Sequence, residues 1–375
     1  MKVKDLMKLF EYVKKAFTNL FHPVTREYLG KRLAQDQKEL TSQLADIIRT
    51  QQDVIRVQKE LLERLDVLDD KILRNKSVIE RTGRELRVQM TEQLDPALYE
   101  HALGRWYQKK TGMKLDLNDP KRYSEKIQWM KLYDPQNPLK TVLADKILVR
   151  DYVAEKVSGD ILIPLLKVYD TAAEIDFDEL PDSFVLKANH GCGYNRVVVN
   201  KSRENLEAIR KKADFWLNED FSLKSGFELH YRDIPRKLFA EEYIGNGKDA
   251  IPDYKFWCFD GKVHYICVIV ERDTQPKMAY YDTDWNKQGF VSSFTLMDND
   301  VPRPERLEEM IETAEKLSEG FPHVRVDLYI LEDGSYRFGE LTFTPASGGI
   351  RWDPPETDLM MGALMELPAE KRKWQ

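Results

Sequence analysis

The stretch FVLKANHGCGYNRVVVN, Phe184–Asn200, decides the fold. Two short runs rich in valine and other apolar residues predict two strands, and the loop between them contains two glycines and a histidine. Lys187 lies within the first, otherwise apolar, run. A glycine-rich hairpin can direct backbone N–H groups at an anion, and a lysine at the end of the strand would point at the same anion. The alternative is a surface hairpin whose lysine simply extends into solvent.

Composition limits the class of protein. A length of 375 residues is enough for two or three domains, and 42% hydrophobic residues support a sizeable core. A net charge of −6 argues against a nucleic-acid partner, which usually requires a basic excess. The three cysteines are too few and too scattered for a disulfide framework or a zinc site. We therefore expect a cytoplasmic protein without a signal peptide or a membrane span.

Residues 1–22 have the pattern of a basic amphipathic helix. Apolar residues such as Leu6, Phe10 and Phe17 recur at helical spacing, and lysines lie between them. A helix of this kind can lie on an anionic bilayer as a peripheral membrane contact. The alternative is a helix packed on its own protein or on a partner chain.

Residues 38–95 carry a heptad signal. Apolar residues occupy most of the alternating four- and three-residue steps from Leu40 to Ile79, without proline or glycine. A pattern of this length favours a coiled coil, with Gln51, Gln58 and Asn75 as polar layers. We therefore expect a homo-oligomer, and the alternative is a long helix packed on its own domain. Pro96 closes this region.

The remainder of the chain has the pattern of an α+β domain. Helical segments alternate with strand–turn–strand units from Phe184 to Val199 and from Phe239 to Tyr281. A helix is predicted at about Arg303–Ser318. Two strands then follow, separated by an Asp-Gly turn.

These last two strands, RVDLYILEDGSYRFGELTF, carry charged residues at alternate positions. Side chains two residues apart share a strand face, so Arg325 and Asp327 point together, as do Glu340 and Thr342. If the strands pair around the turn, two carboxylates converge beside a cation. Magnesium in proteins is usually held by one or two carboxylates together with substrate phosphates and water. The alternative is a set of cross-strand ion pairs on a solvated sheet face.

A third stretch, LFAEEYIGNGKDAIPDYKF, makes the pattern specific. An acidic strand end at Glu241–Ile244 is followed by a strand that begins Asp253-Tyr254-Lys255. An in-strand lysine before a glycine-rich hairpin, an acidic hinge, a D-Φ-K strand, an R-x-D strand and an E-x-T strand, in this order, resemble an ATP-grasp enzyme. FVLKANHGCG, ADKILVRDYV, DYKFWCFDGK and FGELTFTPASGG most resemble its TupA-like branch, which is associated with teichuronopeptide and surface polysaccharide synthesis.

The resemblance covers about residues 97–367 and implies an ATP-grasp fold, in which two α+β subdomains grip ATP. The catalytic domain would be residues 97–375, preceded by the long coiled-coil helix. Lys187 and Lys146 would neutralise phosphates beneath the 189–195 loop, the hinge would contact adenine, and Asp253 would face the ribose. The implied ATP-binding residues are Lys146, Lys187, His190, Gly191, Gly193, Glu241, Glu242, Tyr243, Ile244 and Asp253.

The resemblance also implies a metal site and a set of catalytic cations. Asp327 and Glu340 would hold two Mg²⁺ ions, and Thr342 stands where most ATP-grasp enzymes have a metal-binding asparagine. A hydroxyl can still bind magnesium, although more weakly. The implied catalytic residues are Arg325, which would clamp the transferring group, and Lys255 and Arg272, one or the other of which would face the triphosphate.

The implied activity is an ATP-dependent carboxylate–amine ligation through an acyl phosphate. The substrates would be a carboxylate-bearing glycan or its precursor and an amino acid or other amine. A glycosyltransferase is the alternative enzyme, because Asp282-Thr283-Asp284 forms a D-x-D sequence that could hold a metal-bound sugar nucleotide. The same three residues could instead form a polar turn. A non-catalytic scaffold built on the coiled coil is the third hypothesis.

Overall fold

The structure of the protein is a computed structural model that describes most of the carboxy-terminal three-quarters of the chain. The described residues are 94–224, 226–245, 251–270, 277–292, 295–297 and 300–372, with short pieces at 31, 35, 56–61 and 63–64. The chain divides into two compact units between Leu103 and Gly104. The division lies a few residues beyond Pro96, where the sequence predicts the boundary.

The predicted basic helix, residues 1–22, lies outside the described residues, and so does most of the predicted coiled coil, residues 38–95. Within the latter, residues 56–61 and 63–64 are helical. Gln58, one of the predicted polar layers, is buried and accepts a weak hydrogen bond from the Asp95 amide at 3.4 Å. The oligomeric coiled coil therefore remains a prediction.

From residue 99 onward, helices and strands alternate as the sequence predicts for an α+β domain. No helix among the described residues has the length and apolar character needed to cross a membrane. The helices are α1 Tyr99–Thr111, α2 Tyr123–Tyr133, α3 Asn137–Ala144, α4 Val149–Lys156, α5 Leu206–Asn218, α6 Leu307–Ser318 and α7 Thr357–Ala363.

Four strands form a small antiparallel sheet in the order β1-β4-β2-β3. The predicted hairpin at Phe184 is confirmed, since β2 pairs with β3 and Lys187 lies opposite Asn195. Phe184 and Leu186 point into a core that includes Ala213 and Trp216 of α5. The strands are β1 Leu165–Tyr169, β2 Phe184–Ala188, β3 Asn195–Val198 and β4 Leu238–Glu242.

A larger sheet has the order β11-β10-β5-β6-β7-β9 and is antiparallel except for the β7–β9 pair. A two-stranded ladder of β8 and β12 accompanies it. The strands are β5 Asp253–Phe259, β6 Lys262–Val270, β7 Lys277–Tyr281, β8 Val291–Ser292, β9 Thr295–Leu296, β10 His323–Ile330, β11 Tyr336–Thr342 and β12 Trp352–Asp353.

Alternation along the central strands of the large sheet separates its core from its polar face. Phe256 of β5 and Val326 of β10 lie in the same hydrophobic core as Ala314 of α6. The alternate residues, including Lys255 and Asp327, point to the opposite face. Each sheet thus has its own hydrophobic core, which fits the predicted pair of α+β subdomains.

Candidate active site

The predicted carboxylate pair forms on the polar face of the large sheet. Strands β10 and β11 pair so that Asp327 lies opposite Glu340 and Arg325 lies opposite Thr342. The Arg325 guanidinium donates two hydrogen bonds to Asp327, at 2.6 and 2.7 Å, and one to the Thr342 hydroxyl at 3.0 Å. The predicted convergence of two carboxylates beside a cation is therefore present.

Lys255 adds a second cation from the neighbouring strand. Its Nζ lies 2.5 Å from Asp327 Oδ2 and 2.6 Å from Asp253 Oδ2, and all three residues are buried. Burial by itself would raise the pKa of Asp327, but Arg325 and Lys255 outweigh it, and the pKa of this carboxyl lies below its ordinary value. Asp253, the predicted ribose contact, thus forms an ion pair with Lys255.

Lys146 connects the two halves of the site. It lies between α3 and α4, and its Nζ donates to the Gly191 carbonyl at 2.6 Å and lies 3.5 Å from Glu340 Oε2. The preceding residue, Asp145, accepts a hydrogen bond from the Asn189 side chain at 2.8 Å, which holds this segment against the start of the glycine loop. One lysine therefore contacts both the predicted phosphate loop and a predicted metal ligand.

The glycine loop between β2 and β3 is held in place by contacts with Phe221 and Trp216. Gly191 has a φ of +79°, and a Cβ there would fall 2.5 Å from the Phe221 ring, so this position requires glycine. His190 is buried, with Nε2 3.1 Å from the Trp216 carbonyl. Burial and, next, Arg236 lower the pKa of His190 to about 4, so its ring is neutral at pH 7. It therefore anchors the loop, whereas Gly193 is exposed at the tip.

Lys187 has a specific partner rather than free solvent. It forms an ion pair with Glu241 of the neighbouring strand β4, and their side chains are 18% and 7% exposed. The alternative of a lysine extending into solvent is therefore wrong for this structure. The Glu242 amide donates to the Pro164 carbonyl at 3.0 Å and is not available to a ligand, while Tyr243 and Ile244 are half-buried just beyond β4.

The remaining predicted elements are Arg272 and the D-x-D sequence. Arg272 is not among the described residues. Asp282 uses its carboxylate to close a turn after β7, accepting from the amides of Asp284 at 3.1 Å and Asn286 at 2.8 Å. This geometry fits the polar-turn alternative for the D-x-D sequence, because a carboxylate committed to the backbone is a poor metal ligand.

The sequence motifs miss a buried polar network on α2. Lys131 donates to the Gly226 carbonyl at 2.8 Å and to both the carbonyl and the hydroxyl of Ser347 at 2.7 Å. The Glu228 carboxylate lies near it and accepts from Thr344, two residues beyond Thr342. Burial lowers the pKa of Lys131 to about 7, and Glu228 acts against that shift. The only sign of this network in the sequence is that Lys131 occupies a position of α2 where the helical spacing predicts a buried residue.

The donor set fits magnesium held jointly with a nucleotide. Among the described residues, no group of three or more His, Cys, Asp and Glu side chains is arranged to hold a metal. Asp327 and Glu340 supply two carboxylates, and the Thr342 hydroxyl lies within 3.3 Å of Glu340 Oε1. Magnesium commonly keeps only one or two protein carboxylates and takes its remaining ligands from phosphates and water.

Two α+β subdomains, with a glycine loop and lysines on one side and paired carboxylates on the other, define the ATP-grasp class of fold. The chain belongs to the TupA-like ATP-grasp family, whose profile matches residues 125–366. The fold and the family expected from the sequence are thereby confirmed. No curated protein matches the chain.

Solved structures that match part of the chain include several ligases. D-alanine–D-alanine ligase from Bacillus anthracis is 18% identical over 54% of this chain and 57% of its own, with a TM-score of 0.34. L-amino acid ligase from Bacillus licheniformis is 16% identical over 57% of this chain and 46% of its own, with a TM-score of 0.35. The chain thus spans about half the length of these structures.

Proposed function

We propose that the protein is an ATP-dependent, ADP-forming carboxylate–amine ligase. The observation that carries this proposal is the position of Lys146, which contacts the carbonyl of Gly191 in the glycine loop and lies 3.5 Å from Glu340. A phosphate chain lying under the loop would extend toward the carboxylates along this lysine. Family membership supports the same assignment.

Nucleotide binding would use the small sheet and its loop. Lys146 and Lys187 would each contribute a charge-assisted contact to phosphate oxygens, and Lys187 would exchange Glu241 for the nucleotide. Adenine would lie against the half-buried Tyr243 and Ile244, where the chain leaves β4. Asp253 would reach the ribose only if Lys255 shifted toward the phosphates.

The large sheet would hold the metal and the transferring group. Asp327, Glu340 and the Thr342 hydroxyl would bind magnesium, which would neutralise phosphate charge and fix the geometry of the triphosphate. Arg325 would bind the γ-phosphoryl oxygens. These groups would neutralise the phosphate charge and orient the reacting atoms, and phosphoryl transfer requires little else of a protein.

Ligation would proceed in two steps. A carboxylate oxygen of the acceptor attacks the γ-phosphorus, and the bond from that phosphorus to the bridging oxygen breaks and releases ADP. An amine nitrogen then attacks the acyl carbon, the bond from carbon to the phosphate oxygen breaks, and the amine loses a proton. Lys146 and Arg325 would stabilise the negative charge on the phosphoryl oxygens in both steps.

For the substrates, we propose a uronic-acid carboxylate in a bacterial surface polysaccharide or its precursor, and an amino acid or similar amine. This proposal rests on the resemblance to the TupA-like branch. We also propose a cytoplasmic enzyme that assembles through residues 38–95 and contacts the inner membrane through residues 1–22. Both segments are the ones the sequence patterns single out.

Titration of the purified protein with Mg·ATP and with sugar nucleotides distinguishes the hypotheses. A ligase binds Mg·ATP and releases ADP only when a suitable carboxylate and amine are present. Binding of a sugar nucleotide without Mg·ATP binding would favour the glycosyltransferase, and binding of neither would favour the scaffold. A screen of uronic acids and amino acids, scored by ADP release, then identifies the substrates.

A further inference from the structure

Tyr231 occupies the junction of the two subdomains. It ends a short 3₁₀ turn, Leu229–Tyr231, and is half-buried. Its ring packs against the hydrophobic core of the small sheet and also against that of the large sheet. A ring that contacts both cores lies where the two subdomains face each other across the proposed nucleotide site.

Short chains of contacts lead from Tyr231 to both halves of the site. On one side its ring packs edge-on against Phe221, with 5.0 Å between the ring centroids. Phe221 in turn lies so close to Gly191 of the glycine loop that a side chain at Gly191 would clash with it. On the other side, Glu228 lies three residues earlier and accepts a hydrogen bond from Thr344. Tyr231 thus lies between the glycine loop and the strand that carries Glu340.

The Tyr231 hydroxyl makes no hydrogen bond to any residue that the structure describes, although its ring is firmly packed. The charges that act on it come from the reacting region, namely Glu228, Glu340, Cys192 and Arg325. Burial and then Glu228, Glu340 and Cys192 raise the pKa of the hydroxyl well above its ordinary value, whereas Arg325 acts against that shift. At neutral pH the hydroxyl therefore stays protonated and is available as an O–H donor.

We infer that the Tyr231 hydroxyl donates a hydrogen bond to an oxygen of the γ-phosphoryl group of bound ATP. The inference rests on the proposed nucleotide site. Arg325, Lys255 and Lys146 supply positive charge there, but each already contacts protein oxygens. Tyr231 would supply a neutral donor held in place by two hydrophobic cores, so that it loses little freedom when the ligand arrives.

The test compares two nucleotides that differ in the γ-phosphoryl group. Affinities of Mg·ADP and of Mg·AMP-PNP, a non-transferable ATP analogue, are measured by calorimetry for the full-length wild type and for Tyr231→Phe. The variant keeps the packed ring and removes only the hydroxyl. We expect Mg·AMP-PNP to bind at least about tenfold more weakly to the variant than to wild type, because a hydrogen bond to a charged group is lost. Mg·ADP should bind to both proteins with the same affinity.

Tyr169→Phe is a matched control. Tyr169 is buried in β1 with a hydroxyl that also lacks a hydrogen-bond partner, and it belongs to the core of the small sheet. Removal of the Tyr169 hydroxyl should leave the affinities for Mg·ADP and Mg·AMP-PNP unchanged. Equal affinities for wild type and Tyr231→Phe would overturn the inference, and equal weakening of both nucleotides would show a structural role instead. A wild type that binds neither nucleotide would overturn the proposed function as well.

Discussion

Replacing Lys146 by alanine should remove the contact that joins the glycine loop to the carboxylate strand. The lost interaction is a charge-assisted hydrogen bond of 2.6 Å to Gly191, together with an ion pair of 3.5 Å to Glu340. A hydrogen bond that involves a charged group contributes about 1.5–3 kcal/mol. If the lysine transfers that interaction to a phosphate, Mg·ADP should bind roughly ten- to a hundredfold more weakly.

The same substitution should change the pH dependence of binding. Burial tends to raise the pKa of Glu340, but Lys146 is the largest of the influences that lower it below its ordinary value. A lowered pKa keeps the carboxylate ionised as the pH falls, so Lys146→Ala should shift the acid limit of metal–nucleotide binding to higher pH. Titration calorimetry at pH 5 to 8 measures both effects.

Lys156→Ala provides the control for that experiment. Lys156 lies on α4 and forms an exposed ion pair with Glu319, outside the site. Its removal should leave nucleotide affinity unchanged. A folded Lys146→Ala protein whose affinity for Mg·ADP stays within about twofold of wild type would refute the assigned role, because the expected loss is about tenfold or more.

Three other outcomes follow from the same structure and sequence. Glu340→Gln should abolish ADP release in the acceptor screen while Mg·ADP still binds, since the proposed adenine and phosphate-loop contacts lie on the small sheet; near-normal turnover would mean the metal site is misplaced. Asp327→Asn should lower stability at pH 7 by about 3–5 kcal/mol, because it removes the buried negative charge that Arg325 and Lys255 share. The pKa of Asp327 is lowered in the folded state, so its contribution exists above the unfolded value of about 3.9 and is lost as the pH falls through the folded value. The difference between the variant and wild type in chemical unfolding should therefore shrink below about pH 4, and a constant difference would contradict it. Removal of residues 1–95 should reduce the particle mass in light scattering to a smaller oligomer or a monomer with nucleotide binding intact; an unchanged stoichiometry would place oligomerisation in the remaining domain.

Local patterns predicted the elements of the site well. The β10–β11 pairing that brings Asp327 opposite Glu340 follows from two alternating strands joined by an Asp-Gly turn, all within about twenty residues. The hairpin that carries Lys187 is equally local. Where strand pairing involves neighbours in sequence, the order of residues largely determines which side chains meet.

Contacts between distant segments could not be predicted in the same way. The pairing of Lys187 with Glu241 depends on β4 lying beside β2, and no periodicity within either strand encodes that order. The binding of Lys131 to Ser347 joins residues more than two hundred positions apart. Tyr231 lies in a turn without any sequence motif, and its place in the site is seen only from its contacts with the hydrophobic cores of both sheets.

The charged groups of the site neutralise one another before any ligand arrives. Arg325 and Lys255 bind Asp327, Lys187 binds Glu241, and Lys146 lies beside Glu340. A free divalent ion must therefore displace protein cations to reach Asp327, whereas an ion that arrives with a triphosphate offers those cations new partners. This exchange favours an order of addition in which metal and nucleotide enter together.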